Sequence, residues 1–469
     1  MPLNGRTSAS PKRLARAALA TALVLAAAVV RALGPHEVVL VVNDASLDSI
    51  LLGQVYQRLR SIPPSNVVRV SIPTNVYDGV STDISPEDFA RHIWLPVTAA
   101  IAEAGIAPQV LAVAYSCGFP TRVTTTPPIS LTGLTFTRNR IPEGESITSG
   151  RYVSELFAGP SSAGAAVEPS ATFDQMRNRL LEAMPLPAMM LAFTGERGIA
   201  VSEAIAALER AAASDHTSPS GTVFFAVNDD VRSTCRHWQY EGAAAALRDR
   251  YGVRAVVSTN LPSAADFPLI GFMTGSRTVA TDKLTLAPGA FADNLTSFGA
   301  AFHQAAHTKA TTWLKDGAAF SAGTVDEPYA IWAKFPSASI FLHSRAGCTS
   351  VESFYQSVLS PLQILPMGDP LAKPWAPRIE PVIAPVAGPL AGIVELKAEV
   401  KGEDPAVFLR FNWLVDGKLA ASGRNFVWNT RNVPDGAHVV RVVVRRQLES
   451  VRHQGFAEIR VDVANGDAR

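Results

Sequence analysis

HEVVLVVNDASLDSILLGQVYQRLR, residues 36–60, contains two patterns that together indicate the fold class. Residues 38–42, VVLVV, form an uninterrupted apolar run, which is typical of a strand buried on both faces. Residues 46–60 then place apolar side chains at helical spacing, which predicts an amphipathic helix. A buried strand followed by such a helix is the repeating unit of a parallel α/β sheet.

The same alternation continues to about residue 275. Further strands are predicted at 67–72, 109–114, 188–193, 222–227, 254–257 and 269–273, and further helices at 86–104, 201–213 and 231–251. The expected fold class is therefore α/β, with a mostly parallel sheet flanked by helices. Residues 124–170, rich in Pro, Gly, Ser and Thr, are predicted to be an excursion outside the core.

The composition changes near Pro374, where prolines recur every few residues and indicate a stiff linker. Beyond it, apolar and polar residues alternate in the manner of strands, and Asp-Gly pairs at 416–417 and 435–436 mark turns. Trp413 and Trp428 are the expected centre of a small core. We predict an α/β domain over 35–375, a Pro-rich linker over 376–389 and an all-β, Ig-like sandwich over 390–466. WNT at 428–430 with PDGAH at 434–438 resembles a turn of bacterial Ig-like modules.

The N-terminal segment indicates export. Lys12, Arg13 and Arg16 precede a short apolar stretch, residues 17–30, and RALG at 31–34 ends it with small residues before Pro35. A membrane span needs about 20 residues, so this stretch is too short to span easily. We predict a signal peptide over 1–34 with cleavage near residue 33, and a periplasmic or extracellular protein without a membrane span after cleavage. An uncleaved anchor is the alternative.

Charge and motifs exclude several classes of function. The chain carries 42 Lys and Arg against 41 Asp and Glu, without a basic stripe, which argues against a nucleic-acid partner. The three cysteines form no CxxC pair, and phosphate-binding glycine loops, HExxH and GxSxG are absent, so we expect no cofactor and no metal. Two weaker possibilities stay open. His303 and His307 lie four apart on a predicted helix, and the carboxylates of Asp229, Asp230, Asp293 and Glu327 suit calcium.

Ligands of a parallel sheet bind where the carboxyl ends of its strands meet, so we looked there for polar residues. The candidate ligand-binding residues are Asn43, Asp44, Ser276, Arg277, Asp293, Asn294, Thr324 and Glu327. Arg277 would recognise an anion, and the carboxylates a polar or cationic group. The alternative for each residue is a helix cap or turn, where such side chains satisfy free backbone N–H groups.

Residues 36–375 resemble a family of secreted bacterial proteins marked by several short motifs. The motifs stand in this sequence as IPPSN at 62–66, PGAFADNLTSFGA at 288–300, SAGTVDEPY at 321–329, ESFY at 352–355 and GDPL at 368–371. Together they extend over most of the predicted α/β domain.

More distantly, the order of these segments resembles the gingipain-type, caspase-fold cysteine peptidases. In that family one strand ends in Gly-His-Gly, which carries the catalytic base, and the next ends in the catalytic Cys. The resemblance implies a caspase-like fold for the α/β domain. Here the strand at 269–273 continues into TGSR at 274–277, and a strand near 285–287 continues into PGAF at 288–291, without His or Cys.

These observations give a leading hypothesis and two alternatives, and whether the chain is an enzyme stays open. The first is an exported caspase-like protein without the Cys/His dyad, acting as a non-catalytic binding or structural module at the cell envelope. Its partner would be a peptide, protein or glycan. The second is a secreted hydrolase or peptidase with Ser276 or Ser297 as nucleophile, supported by Asp293 or a His. The sequence shows no base next to either serine. The third is a spacer in an envelope assembly.

Overall fold

The computed structural model describes residues 33–402, 408–448 and 450–466. The predicted signal peptide, residues 1–34, lies outside these residues except for Leu33 and Gly34, and it stays a prediction. Within the described ranges, no helix is both long and apolar enough to cross a membrane.

One sheet of ten strands forms the centre of the α/β domain. Its strands are β1 Val38–Asn43, β2 Val67–Val70, β3 Ala112–Tyr115, β4 Ala188–Met190, β5 Thr222–Ala226, β6 Arg254–Ser258, β7 Leu269–Gly275, β8 Leu286–Leu295, β9 Phe320–Thr324 and β10 Ile364–Gly368. They lie in the order β2-β1-β3-β4-β10-β9-β8-β7-β5-β6. Within the groups β2-β1-β3-β4 and β9-β8-β7-β5-β6, all neighbours are parallel. Strand β10 joins the groups: it is antiparallel to β9 and meets β4 at the single pair Met190 and Met367. The predicted α/β class is confirmed.

Helices cover both faces of this sheet. They are α1 Leu47–Arg60, α2 Pro86–Phe89, α3 Leu95–Glu103, α4 Leu131–Phe136, α5 Gly144–Ser149, α6 Phe173–Leu180, α7 Val201–Ala213, α8 Val231–Thr234, α9 Tyr240–Tyr251, α10 Ala310–Lys315, α11 Ile340–Arg345 and α12 Ser350–Ser357. Phe224 and Phe225 of β5 show the two-sided burial, because neighbouring residues of a strand point to opposite faces. The Phe224 ring stacks on Phe272, which packs against Trp313 of α10, whereas Phe225 contacts Tyr240 of α9.

Several predicted elements of the α/β domain differ from the structure. Strand β8 continues to Leu295, well beyond the predicted 285–287. The helix predicted over 231–251 is broken into α8, a 3-10 turn and α9. Residues 124–170 are not all an excursion, because every residue of α4 is buried. A Cβ on Gly133 of α4 would lie 2.2 Å from the carbonyl oxygen of Leu362, so glycine allows this close packing.

The C-terminal region is antiparallel throughout its named strands. They are β11 Pro381–Ile383, β12 Ile393–Val400, β13 Leu409–Val415, β14 Lys418–Ser422, β15 Asn425–Asn429, β16 Gly436–Leu448 and β17 Val451–Val463. Two sheets result, β11-β12-β15 and β14-β13-β16-β17. Trp413 and Trp428 are 0% and 5% exposed in their shared core, as predicted. Strand β11 lies within the segment predicted as a linker.

The β domain packs against residues that precede strands of the large sheet. Gln109, ahead of β3, donates from Nε2 to the Gly417 carbonyl oxygen at 2.7 Å and accepts from the Leu419 N–H at 3.3 Å. Gln454 donates to Glu37, ahead of β1, at 2.9 Å. The β domain therefore contacts the amino-terminal edge of the sheet, and the candidate residues follow strands at the other edge.

Candidate functional site

The loops that follow strands of both parallel groups meet at one edge of the sheet. Phe193, after β4, stacks on Phe302, after β8, with 4.2 Å between ring centroids. Arg197 adds a hydrogen bond of 3.1 Å from Nη1 to the Phe302 carbonyl oxygen. We call this edge the carboxyl edge. It is where a ligand of a parallel sheet is expected.

Asn43 and Asp44, at the end of β1, have structural partners. The Asn43 amide donates to the Gly118 carbonyl oxygen at 2.8 Å, and its Oδ1 accepts from the N–H groups of Ala45 and Ile72. Asp44 is on the surface and pairs with Arg69 at 2.6 Å. Asn43 therefore fixes two loops to the end of β1, and the turn interpretation explains it fully.

Ser276, Arg277 and Asn294 lie together at the ends of β7 and β8. Asn294 accepts from the Ser276 N–H at 2.9 Å and donates to the Ser276 carbonyl oxygen at 3.0 Å. The Ser276 hydroxyl donates to the Thr278 carbonyl oxygen at 3.0 Å. Asn294 thus holds the backbone of the loop that presents Arg277, whose side chain is exposed.

Asp293 lies inside the protein. Its Oδ2 is 2.5 Å from Nη1 of Arg236, and the two side chains are 2% and 0% exposed. Arg236 also donates to the carbonyl oxygens of Pro336 and Thr274. Burial raises the pKa of Asp293, and Arg236 opposes that rise. The expected ligand role of Asp293 is therefore corrected, because this carboxylate is enclosed and faces Arg236.

Thr324 and Glu327 also bind neighbouring backbone. The Thr324 hydroxyl, wholly buried, is within hydrogen-bond distance of the carbonyl oxygens of Thr296 and Ser297, at 3.1 and 2.7 Å. Glu327 is half-buried and accepts from the Tyr329 N–H at 2.9 Å. Thr324 therefore connects β9 to the loop after β8 and does not face a ligand.

A hydroxyl–imidazole contact in that loop was not predicted from the sequence. The Thr296 hydroxyl lies 2.6 Å from Nδ1 of His307. The helix predicted to carry His303 and His307 is absent: residues 301–309 are mostly irregular, with one turn at 302–303, and His307 has a φ of 71°. The TS pair at 296–297, directly after the end of β8, is the feature of the sequence that could have indicated this contact. It was overlooked because the strand was predicted to end near residue 287.

Three cationic side chains and the carboxylate of Glu327 act on His307. Burial lowers the pKa of His307, and the nearby Arg232 and Arg277 lower it further. Lys309 holds the loop through hydrogen bonds of 2.8 to 2.9 Å to the carbonyl oxygens of Phe298, Ala301 and Ala306. Because Arg277 is the exposed member of this group, it is the residue most accessible to an anion.

A second polar cluster joins loops from both parallel groups. Arg122 forms a bidentate pair with Asp83, at 2.8 and 2.6 Å, and lies 3.6 Å from Asp326. His303 approaches the Thr82 hydroxyl at 3.4 Å. These contacts connect the loops that follow β2, β3, β8 and β9, and they organise the carboxyl edge.

No described cysteine has an imidazole partner, and all three are free. Burial raises the pKa of the Cys117 thiol to about 12 and raises that of Cys348 well above its ordinary value. The Cys348 thiol accepts from the Gln356 amide at 3.6 Å and donates to the Ala171 carbonyl oxygen at 3.8 Å. The pKa of Cys235 is also raised by burial. Arg236 opposes the rise at Cys235, but burial is the largest effect on all three thiols, so none has the lowered pKa of a reactive cysteine.

The carboxylates considered for calcium do not gather. Asp230 caps α8 and pairs with Arg232 at 3.0 Å, while Asp293 pairs with Arg236. Across 33–402, 408–448 and 450–466, no group of three or more His, Cys, Asp and Glu side chains could hold a metal ion.

The motifs behind the family resemblance have structural partners. Asp369 of GDPL is fully buried and accepts from the Tyr56 hydroxyl and from Arg60, each at 2.8 Å. Asn66 of IPPSN donates to the carbonyl oxygens of His36 and Val38. GDPL and IPPSN thus maintain the sheet, whereas the motifs at 288–300 and 321–329 bring Asn294, Thr296 and Asp326 to the carboxyl edge.

No family model and no curated protein matches this chain. Among solved structures, fibronectin(III)-like modules of Clostridium thermocellum CbhA match at 15% sequence identity. The match covers 24% of this chain and 57% of that chain, and its TM-score is 0.16. So low a TM-score gives no information about fold or function.

Proposed function

We propose that this chain is an exported protein with a caspase-like domain that acts as a non-catalytic binding module at the cell envelope. Its ligand would be an anionic group of a peptide, protein or glycan, bound at the carboxyl edge by Arg277. The observation that carries the proposal is the pair of adjacent strand ends, Gly275 of β7 and Leu295 of β8, which face each other in the sheet.

A caspase-type peptidase would place its imidazole and its thiol at these two ends. Because β8 ends at Leu295, the segment that corresponds to the catalytic Cys of the peptidases is LTSF at 295–298 and not PGAF at 288–291. Neither segment contains Cys. At the end of β7, Ser276 has its backbone held by Asn294 and its hydroxyl turned to the Thr278 carbonyl oxygen. Neither end therefore provides a thiolate, so binding is the better-supported function.

The charge near these strand ends supports an anionic ligand. Arg277 is exposed on a loop whose backbone is fixed by Asn294, so little loop ordering would be needed on binding. A guanidinium also matches the planar geometry of carboxylate and sulfate groups. Arg232 lies close enough to lower the pKa of His307, as Arg277 does.

The test is binding to arrays of acidic peptides and of carboxylated or sulfated glycans. We expect Arg277→Ala to weaken binding about tenfold or more, because a charged hydrogen bond contributes about 1.5–3 kcal/mol. Arg431→Ala, at an exposed arginine of the β domain, is the matched control and should bind normally. Retention of full affinity by Arg277→Ala, or preference for neutral ligands, would refute the proposal.

The second candidate function is a hydrolase that uses Thr296 as nucleophile and His307 as base, favoured by their 2.6 Å contact. It ranks lower because Thr296 is only 1% exposed. A substrate screen with Ser276→Ala, Arg277→Ala, Thr296→Val and His307→Gln separates the two functions. Turnover that is lost in Thr296→Val and His307→Gln would establish the hydrolase.

A further inference from the structure

Glu352 is a carboxylate inside the α/β domain, and none of its hydrogen-bond donors in the described part of the chain is a cation. It is 0% exposed and accepts four hydrogen bonds, all from neutral donors. Oε2 accepts from the N–H and the hydroxyl of Thr349, both at 3.0 Å. Oε1 accepts from the N–H groups of Phe173 and Leu33, both at 3.1 Å.

A buried carboxylate without a cation is costly, because its charge has left water without compensation. Burial accordingly raises the pKa of Glu352 to about 7, and the nearby Glu37 adds to the rise. Glu37 is itself buried and accepts from the Gly34 N–H at 2.9 Å. Two carboxylates thus accept from the consecutive N–H groups of Leu33 and Gly34.

Leu33 is well placed to be a chain terminus. Its side chain is 0% exposed and belongs to the main hydrophobic core. The bond before it follows Ala32, a small residue at the end of the predicted signal peptide. Other titratable groups near the two carboxylates are His36, Lys373 and Cys348. Burial lowers the pKa of Lys373, and the charges of Glu352 and Glu37 oppose that lowering.

We propose that Leu33 is the first residue of the mature protein and that its α-ammonium group forms a buried ion pair with Glu352. A signal peptidase would hydrolyse the bond between Ala32 and Leu33. The water hydroxyl joins the Ala32 carbonyl carbon, and the freed Leu33 nitrogen takes up protons to become an ammonium ion. The backbone N–H to Glu352 contact then becomes a salt bridge, so removal of the leader stabilises the fold.

The inference rests on the export part of the proposed function and not on ligand binding at Arg277. It places the end of the signal peptide at residue 32, two residues before the boundary expected from the sequence.

The first measurement is the intact mass and N-terminal peptide of the chain recovered from the periplasm after expression of residues 1–469. We expect Leu33 as the first residue. An uncleaved chain, or a terminus at another residue, would overturn the processing site.

The second measurement tests the ion pair without export. Chains that start at Leu33 or at Ala32 are released from a cleavable fusion, each with Glu352 or with Glu352→Gln. We expect the midpoint of thermal unfolding to fall by about 4 °C or more when Ala32 is added to the Glu352 chain, and to change little in Glu352→Gln. An equal effect of Ala32 in both backgrounds contradicts the ion pair.

If Glu352→Gln does not fold, the ion pair is tested by the chemical reactivity of the N-terminal amine in the wild-type chain. In the folded chain starting at Leu33, acylation of the α-amine at pH 7 should be at least about tenfold slower than in urea, because the amine is protonated and enclosed. Equal rates in the two states overturn the proposal.

Discussion

Oδ2 of Asp293 lies 2.5 Å from Nη1 of Arg236, and the protein encloses both side chains. Removing one partner leaves the other as a buried, unpaired charge. We expect Asp293→Ala to lower the free energy of unfolding by about 3–5 kcal/mol in chemical denaturation. The double variant Asp293→Leu with Arg236→Met should lose much less than the sum of the single losses. Strictly additive losses would show that the ion pair is not coupled.

Gly323 of β9 packs directly against Gly299. A Cβ on Gly323 would lie 2.3 Å from the carbonyl carbon of Gly299, and both neighbouring backbones are fixed in the core. Gly323→Ala should therefore cost about 3 kcal/mol or more in the free energy of unfolding. Gly242→Ala in α9 is the control, since its Cβ would meet no atom within 4 Å. This control should be neutral or gain up to about 1 kcal/mol. Equal stability of both variants would contradict the close approach.

His343 gives the fold a predictable dependence on pH. Burial lowers its pKa to about 3, from an ordinary 6.5. Between these values the unfolded chain takes up a proton that the folded chain does not, so stability is lost as the pH falls from 6.5 toward 3. We expect wild type to lose about 1.4 kcal/mol per pH unit there relative to His343→Gln. His303→Gln, at an exposed histidine whose pKa burial also lowers, should change the slope less than His343→Gln does. Parallel curves for wild type and His343→Gln would disprove this.

Gln109 connects the two domains through both ends of its amide. Gln109→Ala removes the hydrogen bonds to Gly417 and Leu419. We expect it to lower the free energy of unfolding by about 1–3 kcal/mol. Hydrogen exchange at the Leu419 amide should accelerate. Asn425→Ala, which removes an exposed hydrogen bond to Glu395 within the β domain, should leave that amide unchanged. Unaltered exchange at Leu419 in Gln109→Ala would argue against this contact.

Apolar periodicity was sufficient to predict the α/β class, because strands buried on both faces leave a direct record in the sequence. The end of β8 was not predictable in the same way. Pro288 and Gly289 indicate a chain break, yet the strand continues through an irregularity in its pairing with β7, where Gly289 adopts a φ of 84°. Because the strand continues past this irregularity to Leu295, its end was predicted too early, and the Thr296–His307 contact was not predicted.

The sequence predicted where the candidate residues lie better than it predicted what their side chains do. Asn43 and Asn294 do lie at strand ends, but they hold backbone groups, as the cap and turn alternative allows. Asp293 could not be assigned from sequence, because its partner Arg236 is 57 residues away and meets it only in the folded protein. Arg277 keeps its predicted exposure, and its ligand role remains our proposal.

The rate at which the folded protein's thiols are alkylated by iodoacetamide at pH 7 is the measurement that bears most directly on a non-catalytic carboxyl edge. Because burial raises the pKa of Cys117, Cys235 and Cys348, we predict that each thiol reacts more slowly than glutathione, and that alkylation abolishes no hydrolytic activity. A cysteine that reacts faster than glutathione, together with loss of a peptidase activity, would contradict the account.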